Sequence, residues 1–223
     1  MILNNILNLF FPKLCGACSK PIINCEDELC LNCEIHLVYE SNPNTTKIIK
    51  DLRGRVEIDK GVFFIDFTKK EGVQQVLHSI KYQNQKKLAI YLAEELAKKL
   101  GAEFFETIDV LIPVPLHPKK FKIRGFNQAD LIATGIHNCF KIPIDTQSLQ
   151  RKVFTESQTK KNRLERWKNV QNAFFVSDKN SLNKKHILLL DDVFTTGATL
   201  EACIKSLQKE VDCKCSILTL ARA

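Results

Sequence analysis

Unbroken runs of apolar residues recur along this chain and predict strands that are buried on both faces. Residues 187–190 are four consecutive apolar residues that precede two carboxylates. Residues 109–116 form a second, mainly apolar segment that begins with Asp109, and residues 61–67, which include Asp66, form the first one in chain order. An apolar run without polar alternation is typical of a strand inside a parallel sheet. We therefore predict a parallel sheet that contains these three segments.

The segments between these runs have apolar residues at steps of three and four, which predicts amphipathic helices. We expect helices over residues 73–80, 88–100, 127–140 and 199–209, with Gly101 as a helix stop. We expect further short strands over residues 144–150 and 172–176, and an alternating strand over residues 213–220 that closes the sheet. Strands that alternate with helices predict an α/β fold, a parallel sheet flanked by helices.

The N-terminal third of the chain has a different pattern. Residues 2–11 present one apolar face, which we expect to pack on the main domain, because the polar face has no Lys or Arg to bind a membrane surface. This segment is too short to span a bilayer and lacks the features of a secretory signal, so we expect a cytoplasmic protein with no membrane span. Residues 41–60 are polar and predict a linker. The expected domains are therefore 1–40, with the N-terminal helix and a cysteine-rich region, and 61–223.

Two pairs of cysteines lie in the first of these domains. Cys15 and Cys18 form one pair, Cys30 and Cys33 form the other, and eleven residues separate them. Four thiolates suit a tetrahedral structural zinc site, which has no open position for catalysis. The spacer is shorter than is usual for such pairs, and buried reduced thiols or a redox motif are the alternatives. Cys25 or His36 is a candidate replacement ligand.

Positive charge is concentrated in one part of the chain. The formal net charge is +8, and residues 111–170 hold 12 Lys and Arg against 4 Asp and Glu, which accounts for the whole excess. A basic surface of this kind attracts polyanions, either a diphosphate or a nucleic acid, and it is also compatible with a solvated face that maintains solubility. The charge alone does not choose among these.

The segment that follows the apolar run 187–190 has the residues of a sugar-phosphate site. Asp191 and Asp192 come at the end of the predicted strand, where ligands of open α/β sheets bind. Adjacent carboxylates accept hydrogen bonds from neighbouring sugar hydroxyls. The next turn and helix start can hold a phosphate through backbone amides and hydroxyls, and its residues are Thr195, Thr196, Gly197, Ala198 and Thr199. The implied ligand is a ribose with a 5-phosphate, whereas Thr capping of a helix is the simpler alternative.

A second strand–loop–helix unit brings cations to the same edge of the sheet. The loop over residues 117–126 contains Lys119, Lys120, Lys122 and Arg124, followed by Gly125. These side chains suit a pyrophosphate, and a flexible basic loop without a ligand is the alternative. Lys81 is either a ligand contact or a solvent-facing residue of its helix.

The string from Ile187 to Thr199 resembles the phosphoribosyl pyrophosphate (PRPP) signature of type I phosphoribosyltransferases. The resemblance implies that Asp191 and Asp192 hold the ribose hydroxyls, that residues 195–199 hold the 5-phosphate, and that magnesium binds together with PRPP. It also implies that the loop of Arg124 and Gly125 receives the pyrophosphate, and that residues 151–166 form a flexible loop that closes over the site.

Nearly the whole chain resembles the ComF family of competence proteins. The matching pieces, in order, are the cysteine pairs, Ile80-Lys81-Tyr82, Pro113-Val114-Pro115-Leu116, Arg124-Gly125-Phe126-Asn127-Gln128-Ala129, Gln158, Asn169-Val170, Ala173-Phe174 and the PRPP-like string. This resemblance implies a type I phosphoribosyltransferase-like domain with an N-terminal zinc ribbon. It also implies a role in handling single-stranded DNA during natural transformation, beside a helicase-like translocase.

Three functions are compatible with these features. The chain is a phosphoribosyltransferase that acts on an unidentified nitrogen acceptor, or a PRPP-binding protein whose basic stretch and zinc ribbon bind single-stranded DNA, or a scaffold with a vestigial site. For the second function, the candidates for base stacking are Phe121, Phe126, Phe154 and Trp167. The intact acidic pair and Thr199 argue against the third.

Overall fold

The computed structural model describes residues 12–22, 28–39, 41–66, 73–152 and 173–223. Several sequence-based expectations concern other residues. The apolar N-terminal segment, Cys25, the closing loop beyond Lys152, and the family residues Gln158, Asn169 and Val170 lie outside the described residues, as do the stacking candidates Phe154 and Trp167.

A parallel sheet forms the centre of the fold. Its strands are β1 (Gly61–Asp66), β2 (Val110–Pro113), β5 (His186–Phe194) and β6 (Lys214–Arg222), and their order across the sheet is β1-β6-β5-β2. All three pairings are parallel. The predicted α/β class with a parallel sheet is confirmed.

The position of β6 differs from the expectation. We predicted an alternating strand at the closing edge, but β6 pairs with β1 on one side and β5 on the other. Seven consecutive residues of β6, from Cys215 to Ala221, are buried, including Ser216 and Thr219. These hydroxyls gave the segment its alternating appearance. They are accommodated because Ser216 Oγ accepts from Lys60 N at 3.1 Å and Thr219 Oγ1 donates to Ala221 O at 3.1 Å.

Both faces of the sheet are covered, as the unbroken apolar runs predict. In β5, Leu188 and Leu190 belong to one apolar core, and Ile187 and Leu189 belong to the other. This alternation follows from the two-residue period of a strand.

The helices flank this sheet. They are α1 (Leu31–Glu34), which continues as a π-helical turn (Ile35–Tyr39), α2 (Lys47–Leu52), α3 (Val73–Tyr82), α4 (Lys86–Phe105), α5 (Pro118–Arg124), α6 (Gln128–Phe140) and α7 (Ala198–Glu210). Gly101 has a φ of 72° and interrupts α4, but helical structure resumes as far as Phe105. The resumption buries Phe105, whose ring stacks on Phe140 at 4.5 Å between centroids.

The stretch predicted as a linker contains a packed helix. In α2, Ile48 and Leu52 are fully buried in the second core, and Asn44 bridges to Phe63 of β1. Two apolar residues four positions apart are enough to dock one short helix, even in a polar segment. The division into domains stays a prediction, but residues 41–60 are part of the packed structure.

The basic loop is also more ordered than expected. Residues 118–124 form α5, because the His117 side chain accepts from Lys119 N, Pro118 opens the helix, and Gly125 ends it in the left-handed conformation. None of the residues of α5 is buried.

Two short strands form a separate antiparallel pair. They are β3 (Leu149–Arg151) and β4 (Phe174–Val176), and both are shorter than predicted. Ile144, at the start of the predicted strand, instead forms a single bridge to Leu111. In the described part of the chain, no helix combines the length and apolar character that crossing a bilayer requires.

Candidate ligand-binding site and metal centre

The site begins where β2 stops and β5 continues. Pairing between these strands ends at Pro113 and Leu190, followed by one last hydrogen bond from Val114 N to Leu190 O at 2.9 Å. Pro113 and Pro115 have no N–H, so they limit the ladder on this side. Beyond Leu190, the described residues show β5 paired with β6 alone. The sequence placed the two carboxylates after the strand, but they lie within β5, along its open edge.

The two carboxylates are on opposite faces of this strand end, because consecutive strand residues alternate. Asp192 Oδ2 forms an ion pair with Lys81 Nζ of α3 at 2.7 Å. Asp191 is on the face of Arg151 and Cys203, both of which it influences electrostatically. A sugar held by both carboxylates would therefore lie across the open edge of β5.

Asp191 has an unusual acidity for a carboxyl group. Burial, and then the neighbouring charge of Asp192, raise the pKa of Asp191 to about 7. The Asp192 amide, which donates to Asp191 Oδ1 at 2.9 Å, and the cations of Lys81 and Arg151 oppose this rise. At neutral pH about half of the Asp191 carboxyl groups are therefore protonated, so the site carries about half a negative charge fewer than two ordinary aspartates would.

The turn after β5 is tightly constrained at Gly197. This residue has a φ of 75° and is the N-cap of α7. A Cβ here would lie 2.8 Å from Phe194 Cζ and 2.9 Å from Leu52 Cδ2, which is too close for an ordinary contact. Both the positive φ and this lack of space require glycine at the turn. Thr195 and Thr196 are exposed, and Ala198 and Thr199 are half-buried. The first amides of α7 have no hydrogen-bond partner within the helix. The positive end of the helix dipole also lies at this turn.

The structure brings some of the predicted site residues together. Lys81 is joined to Asp192 by an ion pair, so it is not simply a solvent-facing residue of its helix. Arg124 is joined to the end of α3 through Tyr82, since its Nη2 donates to the Tyr82 hydroxyl at 3.4 Å. Gly125 acts as the cap that ends α5. The assignment of these residues to PRPP stays a prediction.

Arg55 at the site was missed from the sequence, and Arg151 was expected there only as the first residue of the closing loop 151–166. Arg55 Nη1 donates to Thr196 O at 3.1 Å, and its guanidinium also pairs with Glu201 of α7. Arg55 thereby fixes the carbonyl side of the turn. Arg151 of β3 lies near Asp191, with its guanidinium carbon 5.2 Å from the centroid of the Phe174 ring. Neither arginine belongs to a recognised sequence motif. Both reach the site from distant parts of the sequence, so local spacing does not reveal them.

The four predicted metal ligands form one cluster. The sulfur atoms of Cys15, Cys18, Cys30 and Cys33 all lie within 4.8 Å of one another, and Cys18 and Cys30 are 3.7 Å apart. Four thiolates at about 2.3 Å from a tetrahedral zinc ion would be about 3.8 Å apart. The geometry therefore fits a metal ion. His36 is not a member of the cluster.

The environment of the cluster already favours one thiolate. Burial acts to raise the pKa of Cys15, but the backbone amides of Cys30, Cys18 and Ala17 outweigh it and lower the pKa to about 7. Burial and the neighbouring thiols raise the pKa of Cys33. Such a set binds a metal with release of the remaining protons.

The cysteine cluster is docked on the helix that reaches the acidic pair. Ser79 Oγ of α3 donates to Gly16 O at 2.7 Å, and Gln75 Nε2 of the same helix donates to Ser19 Oγ at 2.9 Å. Cys15 and Ala17 share an apolar core with α3 and α4. The cluster thus fixes α3, whose last turn includes Lys81.

The fold and the site define a class of protein: an α/β protein with an acidic pair at the open end of a central strand and an N-terminal four-cysteine cluster. The chain is 30% identical over 225 residues to Competence protein F of Haemophilus influenzae, covering 97% of this chain and 94% of the relative. It is 24% identical over 211 residues to Competence protein ComFC of Bacillus subtilis, covering 94% and 78%. This chain belongs to the ComF family of competence proteins.

More distant comparisons give shorter or weaker matches. DNA utilization protein YhgH of Escherichia coli K12 is 26% identical over 129 residues, 56% of each chain. A hypoxanthine phosphoribosyltransferase of Staphylococcus aureus matches 61% of this chain and 64% of its own, with 15% identity and a TM-score of 0.38. A purine phosphoribosyltransferase of Pyrococcus horikoshii matches 63% and 85%, with 18% identity and a TM-score of 0.37. No family model matches the chain.

The raised pKa of Asp191 predicts a specific dependence of stability on pH. The pKa is about 7 in the fold, whereas an unfolded aspartate titrates near about 4. Between these values the unfolded state binds fewer protons, so this group makes the fold less stable as the pH rises through that window. Asp191→Asn cannot ionise. We expect its melting temperature to exceed that of the wild type by about 2–4 °C at pH 8, allowing about 1 kcal/mol for a half-buried group, and to match it near pH 4.

Glu57→Gln, which neutralises an exposed carboxylate, is the control in the same thermal melts, and its difference from the wild type should not change with pH. A difference for Asp191→Asn that is the same at both pH values would contradict the account of the site's electrostatics.

Proposed function

We propose that this protein binds PRPP with magnesium at the open end of β5 and acts in DNA uptake, where it handles incoming single-stranded DNA. The observation that supports it most is the combination of two carboxylates along one open strand edge with a glycine-dependent turn that leads into a helix start. In this proposal Asp191 and Asp192 accept the ribose hydroxyls. The amides and hydroxyls of residues 195–199 hold the 5-phosphate.

The neighbouring cations fit the rest of that ligand. Lys81 is already at Asp192, and Arg124 stands at the end of the adjacent basic helix α5. A pyrophosphate needs several such donors for its negative charge. Magnesium prefers hard oxygen ligands, which the carboxylates and a diphosphate supply. Asp191 and Asp192 would orient the sugar, and Arg124 would neutralise a departing pyrophosphate.

The role in DNA uptake rests on the family. Two relatives are named as competence proteins, and a third as a DNA utilization protein. The basic helix α5, which has no buried residue, supports contact with a polyanion. A helicase-like translocase is the proposed protein partner, and the cytoplasm, where such strands arrive, is the proposed location.

The alternative function is phosphoribosyl transfer to an unidentified small-molecule or nucleobase acceptor, without a direct role on DNA. Bond breaking at C1 of the ribose produces a cationic centre and a departing pyrophosphate, so catalysis would depend on positioning and charge stabilisation. Pyrophosphate release from PRPP in the presence of candidate acceptors distinguishes the two. Release that requires an acceptor favours transfer, whereas binding without release favours a PRPP-binding protein.

We also propose that the four-cysteine cluster holds a structural zinc ion. Four cysteine sulfur atoms within 4.8 Å of one another can fill all four positions of a tetrahedral zinc site, which supports a structural rather than a catalytic role. Loss of the metal would release the hold of the cluster on α3.

Zinc removal gives a direct prediction. Cys30→Ser removes one of four ligands, and we expect the zinc content to fall from one ion per chain to near zero, with a melting temperature lower by roughly 5 °C or more. Mass spectrometry of metals and thermal melts measure both quantities. Cys139→Ser, at a half-buried cysteine outside the cluster, should retain the full zinc content. A full equivalent of zinc in Cys30→Ser would refute the proposed ligand set.

PRPP binding predicts a thermal shift. At a PRPP concentration about 100 times the dissociation constant, with magnesium present, binding adds about 2.7 kcal/mol of stability and should raise the melting temperature by roughly 5–10 °C. We expect Asp191→Asn combined with Asp192→Asn to abolish the shift.

Glu103→Gln combined with Glu106→Gln removes the same number of negative charges from exposed positions and should leave the shift intact. The proposed pocket is wrong if PRPP with magnesium does not shift the wild type.

DNA binding predicts a steep dependence on salt. A fluorescently labelled single strand should bind more weakly at 200 mM than at 50 mM salt. Binding should also weaken when alanine replaces Lys119, Lys120, Lys122 and Arg124. The salt slope of that variant should be smaller by up to about 3, because each lost phosphate contact lowers it by about 0.7. The matched control places alanine at four exposed lysines, Lys179, Lys185, Lys209 and Lys214. Equal losses in both variants would show that only total charge matters and would remove the specific role of α5.

A further inference from the structure

The last residue of α3 presents an exposed aromatic ring beside the acidic pair. Tyr82 follows Lys81 directly, and 59% of its surface is exposed. The His78 ring lies 5.0 Å away between centroids and tilts by 44°. Because the ring is exposed and follows Lys81 directly, it is accessible to a planar ligand such as a nucleobase.

A guanidinium group lies over this ring. The guanidinium carbon of Arg124 is 5.3 Å from the centroid of Tyr82, and Arg124 Nη2 donates to the Tyr82 hydroxyl at 3.4 Å. This contact, together with the charges of Lys81 and Lys120, lowers the pKa of Tyr82. Two planar groups, one of them cationic, are therefore in contact at the end of α3.

Arg124 is held in this position from its other side. Arg124 Nη1 donates to Gln128 Oε1 at 2.7 Å, and Gln128 is 3% exposed. Among the described residues, Gln128 Nε2 is a buried donor without a partner. A buried amide is a fixed anchor, so the guanidinium is preorganised rather than free to rotate.

The surroundings of this stacked pair suit a chain of phosphates. Helix α5 leads up to Arg124 and exposes Lys119, Lys120 and Lys122, together with the half-exposed ring of Phe121. Proteins that bind single strands without sequence preference combine a cationic track for the backbone with aromatic side chains for the bases. A free nucleobase, by contrast, needs a concave pocket that buries most of its surface. The charge and the openness of this surface favour the strand.

We infer that Tyr82 and Arg124 form an open stacking site for a nucleobase of single-stranded DNA, whose phosphates lie along α5. This inference rests on the proposed role in handling DNA and names the residues that contact a base. Lys81 precedes Tyr82 in the chain and forms an ion pair with Asp192. A strand bound at Tyr82 would therefore lie close to the proposed ribose-phosphate site.

The test compares a single strand with an abasic strand of the same length, which keeps the phosphates but has no bases. We expect Tyr82→Ala to weaken binding of the normal strand by roughly 5- to 100-fold, the usual effect of one stacked base. Its affinity for the abasic strand and its salt slope should match those of the wild type. Tyr82→Phe, which keeps the ring, should recover most of the affinity. Tyr39→Ala, at a tyrosine that is 63% exposed at the end of the π-helical turn, is the matched control.

The outcomes separate this inference from the proposed function. A wild type that binds neither strand refutes both. A wild type that binds both strands equally, or a Tyr82→Ala variant that binds the normal strand as tightly as the wild type, refutes the stacking site and leaves the DNA role in place. A loss in Tyr82→Ala that is equally large for the abasic strand also refutes it, because the contribution would then not come from a base.

Discussion

The end of the ladder between β2 and β5 is the constraint on which the site depends. Pro113 and Pro115 cannot donate to a neighbouring strand, so β2 stops while β5 continues for four more residues. This leaves one edge of β5 open at the point where Asp191 and Asp192 occur. Without that open edge, both carboxylates would be enclosed between strands. Burial already raises the pKa of Asp191 to about 7, and a fully enclosed pair would be still harder to ionise.

Helix α3 connects the two chemically distinct parts of the molecule. At one point it binds the cysteine cluster through Ser79 and Gln75, and in its last turn it supplies Lys81 to the acidic pair and Tyr82 to Arg124. The segment that carries the cluster is hydrogen-bonded to this helix through Gly16 and Ser19, so it helps to hold the helix in place. A structural metal would therefore contribute to ligand binding by positioning, since a cation displaced by even a short distance no longer matches its carboxylate. The same reasoning applies to Arg55, which orients the turn through the carbonyl of Thr196.

The sequence alone predicts those parts of the fold that are encoded locally. The unbroken apolar run before Asp191, the helix after Gly197 and the two cysteine pairs are each specified by neighbouring residues, and the structure contains all three. The errors arise where distant residues decide. The interior position of β6 depends on β1, and the burial of α2 depends on the core beneath it. Arg55 reaches Thr196 across 141 positions of sequence, and Arg151 reaches Asp191 across 40, so no short spacing rule could identify them. The ordering of α5 was missed although its signals, His117, Pro118 and Gly125, are local.

The central claim is that a phosphorylated ribose is held between the acidic pair and the start of α7. Titration of ribose 5-phosphate into the 15N-labelled protein, followed by amide NMR, tests this without any acceptor, pyrophosphate or DNA. The account predicts that the largest shifts occur at the amides of Gly197, Ala198 and Thr199, with smaller ones at Asp191 and Asp192. Saturable binding whose shifts lie elsewhere, or no shifts at these amides at millimolar ligand, would contradict it.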